Sequence, residues 1–177
     1  SRQPNHGVFV RQRLQHVAAH ADVSVIAPVP YFPLATGRME NRPAGVESHR
    51  HDGALEVWHP RFWSIPGVAK GLDGYAYAAS VASRARSLHR ARPFDLIDAH
   101  FAYPDGFAGV RLGRRLGIPV SITLRGTLPD LMRRPSRRLA LRSALRGADV
   151  ILSVSEGLRR DAVRLGIDAD RIVVVPN

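Results

Sequence analysis

The chain has 177 residues, 45% of them hydrophobic, with 26 basic against 15 acidic side chains and a formal net charge of +11. That length suits one domain with one sizeable core, and the apolar share excludes a disordered chain. No cysteine is present, which excludes disulfides and thiolate metal sites, and no run approaches the roughly 18 apolar residues of a membrane-spanning helix. Lys70 is the only lysine, so the charge is carried by arginine. Arginine-rich coding with solvated side chains accounts for such a charge as well as attraction to a polyanion does. Neither a helix-turn-helix nor a zinc-finger pattern is present to support specific nucleic-acid binding. Residues 1–6 do not read as a signal peptide, so the expected setting is the cytoplasm.

Short apolar runs alternate with longer helical patterns, the signature of βαβ units and a parallel sheet covered by helices. Asn5-His6-Gly7 opens a helix, with Val10, Leu14, Val17 and Ala18 on one stripe. Val23–Ala27 is a short β-branched strand ended by Pro28 and Pro30. Residues 31–52, rich in Pro, Gly, Asn and charge, read as a long surface loop. Ala54–Trp58 reads as a strand and His59–Pro66 as an aromatic loop. A helix follows from about Val68 to His89, with Ala78, Val81, Ala82 and Ala85 as its apolar stripe; Pro93 stops it and Phe94–Ala99 is the next strand.

The unit then repeats. Asp105–Leu116 is a helix with Gly117 at its stop, and Pro119–Leu124 is a strand. A helix from Pro135 to about Arg146 precedes the strand Val150–Val154. Ser155 caps a helix ending at Gly166, and Arg171–Val175 is the last strand. The near-continuous apolar strands from Val150 onward predict a sheet buried on both faces, an open doubly wound fold of Rossmann type. Ligands of such sheets bind beyond the carboxyl ends of the strands, so candidate residues are those just after strands.

Three junctions qualify. At Gly7 the missing Cβ lets backbone approach a ligand, and free N–H groups can face an anion; a plain helix-entry turn explains it equally. At Asp98–Gly106, His100 closes a strand and can bond a sugar hydroxyl or a phosphate, while Tyr103 and Asp105 sit in the turn and Asp105 also fits helix capping. At Thr123–Asp130, Arg125 emerges where a guanidinium can clamp a phosphate at two points, and Gly126 leaves room for a ligand. A nucleophile elbow, a phosphate loop and a dinucleotide fingerprint are all missing from the sequence. His49-Arg50-His51 falls in the expected loop and supplies only two ligands, short of a metal site. Arg134, Arg138, Arg142 and Arg146, spaced by four, form a basic stripe: a solvated face, or one that meets an anionic membrane.

These segments resemble the N-terminal domain of the group 1 (family 4) retaining glycosyltransferases, which have the GT-B fold. The likeness is carried by His6–Val10, Phe94–His100 with Tyr103-Pro104-Asp105-Gly106, Thr123-Leu124-Arg125-Gly126, Gly147–Ser155 and Ile172–Asn177. It spans nearly the whole chain as one N-terminal, acceptor-side domain. The resemblance implies metal-free transfer of a sugar from a nucleotide-sugar donor to a glycan or lipid-linked acceptor, with retention of configuration and no cofactor. It gives Gly7 and Gly126 the approach to the donor phosphates, and His100 and Arg125 the catalytic positions. Acceptor contacts fall to Asn5, His6, Tyr103, Asp105, Thr127, Asp130, Trp58 and Arg61. Many members carry a histidine where this chain has Arg125, a variant that resembles exopolysaccharide-type members. The family's strand before the glycine turn and its donor-binding domain lie outside this sequence, so the piece alone is expected to be inactive. A cytoplasmic enzyme at the inner face of the membrane is expected, and Gly7, His100 and Arg125 are expected to share one sheet rim. The competing expectation is a sugar- or phosphate-binding module of the same fold without transfer activity.

Overall fold

The computed structural model describes residues 7–31, 46–64, 73–126 and 128–176. The chain divides into two units, Ser1–Phe62 and Trp63–Asn177.

In the first unit, helix α1 (Val8–Val17) starts from Gly7, whose φ of 83° is a left-handed conformation that glycine tolerates best. Three strands form a mixed sheet in the order β1-β4-β3: β1 (Ser24–Ile26), β3 (His49–Asp52) and β4 (Leu55–Trp58). β4 lies parallel to β1 and antiparallel to β3. Strand β2 (Val29–Tyr31) pairs with β5 (Arg61–Trp63). Leu55 and Val57 are buried while Glu56 and Trp58 are partly exposed, the alternation expected of a strand with one covered face. Arg11 of α1 donates from Nε to Asp52 Oδ2 at 2.6 Å. That bond holds the Asp52 carboxyl below the usual carboxylate range, against the opposing effect of burial.

Two expectations are corrected here. Residues 49–52 are a strand rather than the end of a loop, and residues 61–63 are a strand within the segment read as an aromatic loop. Asp52-Gly53 is the reason for the first. Gly53, at φ 63°, is the first residue of a two-residue connection, which pairs Asp52 with Leu55 and turns the polar segment before it into a hairpin arm. Residues 32–45 of that expected loop lie outside the described residues.

The second unit is Rossmann-like. Four parallel strands run in chain order: β6 (Ile97–His100), β7 (Val120–Leu124), β8 (Val150–Ser153) and β9 (Ile172–Val174). Helices α2 (Asp73–Ala91), α3 (Phe107–Leu116), α4 (Leu128–Met132), α5 (Pro135–Gly147) and α6 (Glu156–Arg164) lie before and between them. The kinked segment Ala102–Gly106, in which Tyr103 is extended at φ −149° and ψ 133°, leads from β6 toward α3. Every residue of β7 is buried, Ser121 and Thr123 included, whereas Val150 of β8 and Val173 of β9 are exposed; burial on both faces, expected of the strands from Val150 onward, is found at the inner strand β7 and not at β8 or β9. Ile122, Leu124, Leu141, Leu145 and Ile151 are among the core side chains with no exposure. The helix at Leu128–Met132 was not anticipated; the expected start of the preceding helix near Val68 lies outside the described residues.

Helix α3 sits against the sheet because Gly113 presents no side chain. A Cβ there would fall against Val120 Cγ2 and 2.7 Å from the Ile118 carbonyl oxygen. Gly113→Ala is expected to destabilise the fold by about 1–3 kcal/mol despite alanine's better helix propensity. Urea unfolding checks this: a variant as stable as the parent would mean the helix moves away without cost.

Candidate functional site

The carboxyl edge of the parallel sheet is set by strand register. His100 pairs with Thr123 across β6 and β7, and Leu124 pairs with Ser153 across β7 and β8. The residues that follow, Phe101, Arg125 and Val154, therefore leave the sheet side by side. The Phe101 amide donates to the Thr123 carbonyl at 3.0 Å, and the Val154 amide to the Leu124 carbonyl at 3.4 Å.

His100 is buried at this edge, with Nε2 3.5 Å from Asp98 Oδ2 on the same face of its strand. Arg125 is partly exposed. Gly126, at φ 70°, lies against the Phe101 ring: a Cβ would meet Phe101 Cε1 at 3.2 Å. Any larger residue at 126 would have to push that ring aside and adopt a strained backbone. On the next strand, Ser153 Oγ donates to the Ser155 carbonyl at 2.7 Å, and Ser155 Oγ accepts from the Leu158 amide at 3.3 Å. The serine thus caps α6 as its sequence position predicts.

Sequence reasoning missed Phe101. Its φ of 76° and ψ of 140° belong to a region that side-chain-bearing residues rarely enter, and the ring is 40% exposed. The Gly106 amide donates to its carbonyl at 3.0 Å, so this backbone is held from both sides. Such strain costs about 1–3 kcal/mol and collects at functional sites. Nothing in a phenylalanine's identity announces a positive φ, so no sequence signal could have found it.

The turn behind the rim has a different character. Tyr103 is buried, and its hydroxyl accepts from the Gly74 amide at 2.9 Å. Tyr77 of α2 donates its hydroxyl to Asp105 Oδ1 at 2.6 Å. Burial pushes the Asp105 carboxyl up to about 6, although the Tyr77 hydrogen bond pulls it the other way. The Tyr77 hydroxyl is raised beyond the usual tyrosine range, first by burial and then by the Asp105 charge. Both residues expected at the acceptor are thus engaged with α2.

The other expected positions are spread out. Asp130 is exposed in α4, 3.8 Å from Arg133. Gly7, Trp58 and Arg61 belong to the first unit. The Trp58 ring stacks on His49, with centroids 3.7 Å apart and planes 17° apart, and the Arg61 guanidinium lies over the Tyr31 ring at 5.5 Å. Asn5, His6 and Thr127 lie outside the described residues. Arg134, Arg138, Arg142 and Arg146 are all exposed, while Leu141, Ala144 and Leu145 of α5 are buried.

A family model described as a glycosyl transferase 4-like domain matches residues 6–177. The chain belongs to this glycosyltransferase family. TuaC of Bacillus subtilis (strain 168), named for glycosyl transfer in teichuronic acid biosynthesis, is 29% identical over 96% of this chain. The chain spans 45% of that curated relative's length. Among solved structures, Anabaena HepE in complex with UDP is 18% identical over 67% of this chain and 30% of its own, with a TM-score of 0.49. The UDP-GlcNAc 2-epimerase from Methanocaldococcus jannaschii is 10% identical over 88% of this chain and 46% of its own, with a TM-score of 0.47. Likeness at that level assigns no function.

The Asp105–Tyr77 pair gives a pH signature. The folded chain holds a proton on Asp105 up to about pH 6, whereas an unfolded aspartate releases it near 3.9. The stabilising contribution is therefore complete below about pH 4 and is lost as pH rises toward 6. Relative to Asp105→Asn, the parent is expected to lose about 2 kcal/mol of stability across that window. Urea titrations at pH 4, 5, 6 and 7 measure it; a pH-independent difference between the two proteins would contradict the buried carboxyl.

Proposed function

We propose that this chain is the acceptor-side half of a retaining glycosyltransferase that moves a sugar from a nucleotide-sugar to a glycan or lipid-linked acceptor. The reading is carried by the rim at the end of β6 and β7, where His100, Arg125 and Gly126 meet the strained Phe101 in a domain of the glycosyltransferase family. TuaC's naming for teichuronic acid biosynthesis supports a cell-surface polysaccharide as product.

In this reading the departing nucleoside diphosphate gathers negative charge as the glycosidic bond to it breaks. Arg125 offsets that charge from a fixed strand-end position, and fixed donors in a site that excludes water act strongly at this point. His100, already buried, bonds a hydroxyl of the transferred sugar or a phosphate oxygen without further desolvation. Gly126 keeps the backbone low beside them, and Gly7 offers free amides toward the donor phosphates. Trp58 and Arg61 contact the acceptor, aromatic faces being suited to sugar rings. Tyr103 and Asp105 act by fixing the turn that carries Phe101. Transfer needs no metal in this scheme, and the donor-binding groups come from a further domain, so this piece alone is inactive.

The exposed arginine stripe of α5, together with Leu139 at 68% exposure, favours docking on an anionic leaflet at the cytoplasmic face. Each basic residue near such a surface contributes about 1 kcal/mol. Replacing Arg138, Arg142 and Arg146 by Gln is expected to weaken binding to anionic vesicles, with less effect on neutral ones. Equal binding by parent and variant would remove the membrane role.

Transfer is tested on the full-length protein with nucleotide-sugars and a lipid-linked glycan. Arg125→Gln is expected to lower kcat/KM by about 100-fold with the fold intact by circular dichroism, and the product is expected to keep the donor's anomeric configuration by NMR. A full-length protein that binds donor but neither transfers nor hydrolyses it would favour a binding module instead.

A further inference from the structure

One face of the first unit's hairpin gathers, beside Trp58, three side chains to which the proposed transfer gives no role. His49 and His51 are two residues apart on β3 and so project from the same face. Glu56 stands directly opposite His51 on β4, and Trp58 directly opposite His49. Cross-strand partners share a face, so all four side chains come together. His49 Nε2 is 3.0 Å from Glu56 Oε1, and the two imidazole rings meet edge to face with centroids 5.2 Å apart. One donor atom from each of His49, His51 and Glu56 lies within 4.8 Å of the other two.

We infer that His49, His51 and Glu56 bind a divalent transition-metal ion, Zn²⁺ being the best fit, as a three-ligand site open to solvent at its remaining position. Two imidazole nitrogens and one carboxylate oxygen are a donor set for zinc, nickel or copper, whereas calcium and magnesium prefer all-oxygen shells. Bonds of about 2.0–2.2 Å to a tetrahedral ion place donors roughly 3.3–3.5 Å apart. The His49–Glu56 separation is already close to that, and His51 is exposed, so its ring can rotate to close the remainder. The Trp58 ring, stacked on His49, fixes the plane of that imidazole.

The backbone under the site is set independently of any ion. The Asp52-Gly53 turn fixes the register, and the opposite face is tied to α1 through Arg11 and Asp52. A bound ion would cross-link β3 to β4 and stabilise the hairpin. This inference does not depend on the proposed transfer, and its test involves no turnover.

Zn²⁺ is titrated calorimetrically into the full-length protein, the His51→Ala variant and the Glu56→Gln variant. His51 is exposed and Glu56 only partly buried, so both variants should fold, which circular dichroism checks. Each substitution is expected to weaken one binding event at least about tenfold. Zn²⁺ is also expected to raise the parent's Tm and not that of the double variant. Ni²⁺ is expected to quench a component of tryptophan fluorescence that is missing in Trp58→Phe. The inference is overturned if no saturable binding occurs below about 1 mM. It is equally overturned if both variants bind as the parent does, which would place the ion elsewhere, such as at His16 and His20. A Ni²⁺ quench that persists unchanged in Trp58→Phe would count against the site as well.

Discussion

Strand β7 is the constraint on which the second unit depends. Its five residues are buried and its backbone pairs on both edges, with β6 on one side and β8 on the other. A buried strand can leave its amide and carbonyl groups nowhere but in a ladder, because an unpaired buried polar group costs more than a hydrogen bond returns. Parallel pairing on both sides then delivers the ends of β6, β7 and β8 to the same edge. The candidate residues His100, Arg125 and Gly126 occupy that edge as a consequence of register.

Behind this edge the turn is held stiff by hydrogen bonds. The turn after β6 is fastened to α2 by two hydroxyls, Tyr103 to the Gly74 amide and Tyr77 to Asp105. Asp105 is held in surroundings that favour its neutral form, which suits a hydrogen-bonded anchor. The fastening holds Phe101 at its positive φ, and glycine suits position 126, which is itself at φ 70° and close against the Phe101 ring. Strain at the rim is thus sustained by the neighbouring turn and α2.

Much of the second unit could be read from sequence because each signal there is local. Val120, Ile122 and Leu124 alternate with short hydroxyl residues, Val150–Leu152 is an apolar run, Gly117 marks a helix end, and Ser155 caps α6 as its position predicts. The rim could be read as well, since strand ends follow from strands. The first unit was harder. His49–Asp52 is polar and shows no apolar alternation, so composition alone made it loop. Only the Asp52-Gly53 turn, taken with the alternation of Leu55–Trp58, carried the hairpin, and the pairing of His51 with Glu56 becomes visible once register is known. Tyr103 and Asp105 show a different difficulty: both are bonded to a helix about 30 positions earlier in the chain, which no local pattern reveals.

The central claim is that the edge formed by His100, Arg125 and Gly126 faces the donor's diphosphate. The most direct measurement is a crystal structure of the full-length protein with a nucleoside diphosphate bound. The account predicts a phosphate oxygen within hydrogen-bond reach of the Arg125 guanidinium. A diphosphate bound elsewhere, with Arg125 turned to solvent, would contradict it.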